Sequence, residues 1–160
     1  MTFSKTLLCT VAVLGLLISS TSSALADKKP KGAKKTDPQT IAQLYSGKTS
    51  NWNSGGHAYW GPGGEYKGIN KKGTAVGIGK WFVTTKGRLC NETIWYWPED
   101  RQTKSEPYEE CWEFVTAPDG TIWERYMPDK TEWYRHKPEK QVKGDAAKSK
   151  FNKIAKSLGL

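Results

Sequence analysis

Histidine, cysteine and methionine are scarce in this 160-residue chain, with two, three and two residues. The two histidines, His57 and His136, have no Cys or carboxylate at ligand spacing, which excludes the common zinc arrangements. Neither H-E-x-x-H nor C-x-x-C occurs, and no G-x-S-x-G elbow offers a serine nucleophile. Each histidine therefore reads as a surface or strand-end residue. No apolar run beyond residue 18 is long enough to cross a bilayer. Acids are outnumbered, 16 Asp and Glu against 25 Lys and Arg, for a formal net charge of +9. No metal, cofactor or catalytic residue is expected from these patterns.

The first residues read as a processing segment. Lys5 precedes an apolar run, Leu7 to Ile18, of signal-peptide length, and Ala24-Leu25-Ala26 forms an A-x-A cleavage pattern. The expected signal peptide spans 1–26; the alternative is an uncleaved anchor. Of the 25 basic residues only Lys5 lies in this segment, which holds no acid, so the remaining chain keeps 24 against 16, a net of +8. The expected location is periplasmic or secreted, which disfavours nucleic acid as a partner. Cys9 precedes most of the apolar run and is not placed for lipidation. Cleavage leaves Cys90 and Cys111, and an even pair in an oxidising compartment normally bridges. Such a bridge closes a loop of about 20 residues, worth roughly 3 kcal/mol by chain entropy.

Residues 27–36, Lys-rich with Pro and Gly, read as a flexible basic arm. Asp37 and Pro38 open a short helix with Ile41, Leu44 and Tyr45 on one face, and Gly47 stops it. A β domain is expected over 37–137. Its strand runs are His57–Trp60, Glu65–Asn70, Val76–Thr85, Arg88–Trp97, Tyr108–Thr116, Thr121–Met127 and Glu132–His136, with Gly, Pro and Asp turns between them. Roughly seven short strands predict a mainly β fold, an antiparallel sandwich or a barrel or half-barrel. Arg88–Trp97 and Tyr108–Thr116 would form a hairpin around a loop, Pro98–Pro107, with Cys90 and Cys111 nearly opposite each other. Residues 138–160 form a basic tail. In it Ala147, Phe151, Ile154, Ala155 and Leu158 make one helical stripe, and Lys150, Lys153 and Lys156 lie off it. This amphipathic helix either lies on a membrane surface or docks on the barrel or over its open end.

Two apparent motifs dissolve on inspection. Gly73 to Lys80 imitates a phosphate loop, but the glycine spacing is one too long and Trp81 stands where Ser or Thr must bind magnesium. Gly77 and Gly79 read instead as strand glycines at a bulge or bend. Asn91-Glu92-Thr93 fits a glycosylation sequon. Carboxylates come in pairs (Glu109 with Glu110, Glu99 with Asp100, Glu113 with Glu124), which on a basic protein read as salt-bridge partners rather than as a glycosidase pair, whose set distance the sequence does not show.

Tryptophan stands out, with eight residues. Trp95 and Trp97 share one strand face. The candidate ligand-binding set is Trp60, Trp81, Trp95, Trp97 and Trp123 for an apolar or planar small ligand, against the alternative that the rings fill the core. The charge favours an envelope polyanion or a protein partner, through Lys150, Lys153 and Lys156.

The stretch Gly79 to Cys90, with Leu44 to Thr49, the Tyr59–Gly68 hairpin and Trp133-Tyr134-Arg135, resembles a domain-of-unknown-function family of small exported alpha-proteobacterial proteins. The resemblance covers about residues 40–136. It implies a lipocalin-like β fold with a Cys90–Cys111 bridge, and carries no activity. The expected function is a non-enzymatic envelope binding module. The alternatives are a basic surface protein and an unrecognised hydrolase using Glu113, Glu124 or His57.

Overall fold

The computed structural model describes residues 28–52, 55–128 and 132–160. The expected signal peptide, Asp27 and the turn at residues 129–130 lie outside them. The chain runs β1 (Lys34–Lys35), α1 (Pro38–Tyr45), β2 (Lys48–Asn51), β3 (His57–Trp60), β4 (Glu65–Ile69), β5 (Val76–Val83), β6 (Arg88–Glu99), β7 (Gln102–Thr116), β8 (Ile122–Tyr126) and β9 (Tyr134–Arg135). A single 3-10 turn (Pro138–Lys140), β10 (Gln141–Lys143) and α2 (Lys148–Ser157) complete it.

The strands form one antiparallel sheet in the order β10-β2-β3-β4-β5-β6-β7-β8-β9, curled into a half-barrel. Its two outermost strands, β9 and β10, are neighbours in sequence. Residues 136–140 therefore tie the open seam of the half-barrel together covalently.

Local chemistry explains α1. The Asp37 carboxylate accepts from the Thr40 amide at 2.9 Å, Pro38 fits the first turn, and Gly47 takes φ +72° just past the end. Lys48 Nζ then donates to the Leu44 carbonyl at 2.9 Å. The helix lays Ile41 and Tyr45 against Trp60, Trp81, Leu89 and Phe114 on the concave side of the sheet. The helix α2 stays outside. Phe151, Ile154, Ala155 and Leu158 pack on Ile69 and Val76 of the convex face, and Thr103 Oγ1 donates to the Leu158 carbonyl. The sheet thus carries two apolar cores, one on each side.

The loop expected over Pro98–Pro107 is not a loop. Strands β6 and β7 run through it to a tight turn at Asp100 and Arg101, both at positive φ. A closing pair Glu99 with Gln102 makes every second pair hydrogen-bonded, so Pro98 opposite Thr103 and Pro107 opposite Ile94 fall in non-bonded pairs. Their missing donors face outward, beyond the reach of β5 and β8, where no strand needs them. The same parity puts Cys90 opposite Cys111, joined as a disulfide with Cα atoms 4.1 Å apart.

Four further expectations change. The flexible arm over 27–36 ends early, because Lys34 and Lys35 pair with Thr116 and Val115 and Thr36 is buried against Thr116. β1 occupies the side of β7 that β6 leaves free. The tail from 138 is not separate from the sheet: β10 pairs with β2, itself a polar strand that composition does not announce. Among the described residues the strands number ten, against the roughly seven expected. Gly77 and Gly79 sit in an unbroken ladder with no bulge or bend. They are small because their neighbours are close: a Cβ on Gly77 would lie 2.7 Å from the Trp95 ring, and one on Gly79 would lie 2.0 Å from the Glu92 carbonyl oxygen.

Candidate functional site

The concave face is lined by alternate residues of β6 and β7. Leu89, Asn91, Thr93, Trp95 and Trp97 stand opposite Trp112, Glu110, Tyr108, Glu106 and Lys104. Two hollows lie along it.

The first, about 300 Å³, sits at the seam. Aromatic walls come from Tyr45, Trp60, Trp112 and Tyr134, and the linking segment supplies His136. Trp60 is fixed by its Nε1 donating to Ser50 Oγ at 3.0 Å, and its ring meets those of Tyr45 and Trp112 edge-on. Inside, the Tyr45 hydroxyl donates to Glu124 Oε2 at 2.5 Å. Burial, then the Glu124 charge, hold the Tyr45 phenol well above its ordinary range, so it remains a donor. His136 is 8 % exposed and its Nδ1 lies 3.6 Å from the same carboxylate oxygen. Neither of its ring nitrogens has a hydrogen-bond partner among the described residues. Arg135, Lys137 and Lys140 line the same hollow.

Further along β6, Asn91 donates to Glu110 Oε1 at 3.2 Å, while Asn91 Oδ1 and the buried Tyr66 hydroxyl have no partner among the described residues. Burial raises the Glu110 carboxyl above its ordinary range, against hydrogen bonds from Asn91 and Tyr126. Beyond it lies the second hollow, about 270 Å³, lined by Asn70, Trp95, Trp97, Glu106 and Tyr108.

The five candidate tryptophans are not brought together. Trp60 lines the seam hollow; Trp95 and Trp97 line the second. Trp81 is core, its Nε1 donating to the Gly61 carbonyl at 2.8 Å. Trp123 alternates with Glu124 on β8 and so faces the other side of the sheet. The hydrolase set is scattered too. Glu113 is held between Arg88 at 2.9 Å and Arg125 at 2.6 Å. His57 bonds Asn51 Oδ1 at 2.7 Å and lies 3.4 Å from Lys150 Nζ. Burial and then the Lys150 charge lower the imidazole's pKa. Lys150, Lys153 and Lys156 are exposed on α2. Tyr45, Trp112, Tyr134 and His136 escape notice in the sequence, because four separate elements bring them together. Their one signal is a lone histidine closing an aromatic run.

Among the described residues no cluster of three His, Cys, Asp or Glu could hold a metal, and no helix is long and apolar enough to cross a membrane. A family model described as a protein of unknown function (DUF995) matches residues 13–155. No curated protein and no solved structure matches the chain.

Proposed function

We propose that this chain, which belongs to the DUF995 family of proteins of unknown function, is an extracytoplasmic, non-enzymatic binding module that takes a small apolar or planar ligand into the seam hollow. The observation that carries this reading is His136. A buried polar group without a hydrogen bond costs about 1–3 kcal/mol, and a ligand that meets the ring nitrogens would offset that. Rings of Trp60, Trp112 and Tyr134 would cover the ligand's apolar body. The extracytoplasmic address is supported by the A-x-A pattern and by the Cys90–Cys111 bridge.

Native mass spectrometry on the mature protein from its own envelope tests this. Bound mass that survives high salt, and that Trp112→Ala and His136→Leu each abolish without changing the circular dichroism spectrum, supports the reading. Ligand retained by both variants overturns it.

A second reading rests on the exposed Lys150, Lys153 and Lys156. The protein would then bind an envelope polyanion through its basic surface. Such binding weakens steeply with ionic strength, whereas pocket binding does not.

A further inference from the structure

The hollow between Trp95, Trp97 and Tyr108 differs chemically from the one at the seam. Trp95 and Trp97 are two apart on β6, and Tyr108 stands across from them on the same face of β7. Trp95 lies on a floor from which side chains have been removed. A Cβ on Gly68 would come within 2.9 Å of its ring, and one on Gly77 within 2.7 Å. Glycine weakens a strand interior, so the bare floor marks a place where a ring has to lie flat against the backbone. With one face bedded, the ring turns its other face to the hollow.

The polar groups there are mostly committed. Asn70 Oδ1 accepts from the amides of Thr74 and Ala75, and its Nδ2 donates to Thr74 Oγ1. The Tyr108 hydroxyl is 3.0 Å from that of Tyr126. Lys104, on the same face, points to Gln102 Oε1 toward the turn. That leaves Glu106. The exposed Glu106 has neither an ion pair nor a hydrogen bond among the described residues. Three aromatic rings with one unpaired carboxylate and only two indole donors carry no cation to hold an anion and offer a sugar's many hydroxyls few partners. They suit a positive charge with little hydration of its own.

We propose that this hollow is a second binding site, separate from the seam, for an organic cation of the quaternary or alkylated ammonium class, with Trp95, Trp97 and Tyr108 as the cage and Glu106 as the counter-charge. The proposal does not depend on the seam reading.

Choline is the probe, followed by tryptophan fluorescence and calorimetry on the mature chain, with 3,3-dimethylbutan-1-ol as its uncharged isostere. Choline should bind saturably and the isostere at least about tenfold more weakly. Glu106→Gln and Trp97→Ala, both at partly or fully exposed positions, should each weaken choline about tenfold with the circular dichroism spectrum unchanged. His136→Leu should leave choline binding as it was, which separates this site from the seam. Equal binding of the isostere would reduce the hollow to an apolar groove and overturn the proposal. So would maltotriose binding without choline binding, or no saturation by choline at tens of millimolar.

Discussion

Gly77→Ala is the sharpest test of how the concave face is built. The new methyl would stand 2.7 Å from Trp95 Cε2 and 3.0 Å from both Cδ2 and Cζ2. Ordinary carbon contacts start near 3.5 Å, so the ring must lift by about 0.8 Å or the strands must part. The backbone raises no objection, since Gly77 is not among the residues at positive φ, and alanine by itself slightly favours ordered structure over glycine. The overlap is therefore the whole penalty, about 1–3 kcal/mol, as for other overpacked sites. For a domain of this size that is a fall in melting temperature of roughly 3–10 °C. Urea denaturation followed by circular dichroism gives the free energy. The decisive measurement is a double-mutant cycle with Trp95→Ala. Without the ring, the added methyl should cost less than about 0.5 kcal/mol, so the two changes should couple by at least about 0.5 kcal/mol. Equal destabilisation by Gly77→Ala in both backgrounds, or none in either, would refute the bedding of Trp95 on that glycine.

Replacing Cys90 and Cys111 together by serine should lower stability by roughly 3 kcal/mol, read from the urea midpoint, with reductant reproducing the effect in the native chain. Phe151→Ala should cost about 3 kcal/mol, because it opens the outer core over Ile69 and Val76; deleting residues 138–160 should unfold the domain rather than trim it. Burial pushes the Glu113 carboxyl upward, but hydrogen bonds from Arg125 and Arg88 outweigh this and leave it below its ordinary 4.5. A lowered carboxyl pKa stabilises the fold above about pH 4.5 and loses that contribution as pH falls through the folded value. The stability difference between Glu113→Gln and the native chain should thus be present at pH 7 and vanish in acid. Glu110 is opposite in sign: its raised carboxyl destabilises the fold once ionised, so Glu110→Gln should gain stability at pH 7 and gain none below about pH 4.

What the sequence discloses follows from where the forces lie. Cys90 and Cys111 can be paired from the chain because a disulfide and a hairpin register constrain the same residues. The capped helix at Asp37 and Pro38 is legible because its signals are local. β2 is not: of Lys48, Thr49, Ser50 and Asn51 only Thr49 favours a strand, and the segment is ordered by β3 and β10. The prolines at 98 and 107 misdirect, since their tolerance depends on which ladder positions are bonded, and that parity is set by the turn at Asp100 and Arg101. The seam hollow is least legible, because Tyr45, Trp112, Glu124 and His136 meet only when the sheet curls. The second hollow is half legible: the shared face of Trp95 and Trp97 can be read, but the glycine floor on β4 and β5 cannot.

The covalent tie across the seam also bears on self-association. A curled open sheet leaves two rows of unpaired amides and carbonyls, which invite another chain to add a strand. Here the two terminal strands are among the shortest of the sheet, β9 with two residues and β10 with three. The segment that joins them carries Pro138, which has no amide to donate. Neither terminal strand is long enough to template an incoming strand; the longer open edge is the outer side of β7 between Gln102 and Glu110, which β8 does not reach and which Pro107, without an amide, interrupts.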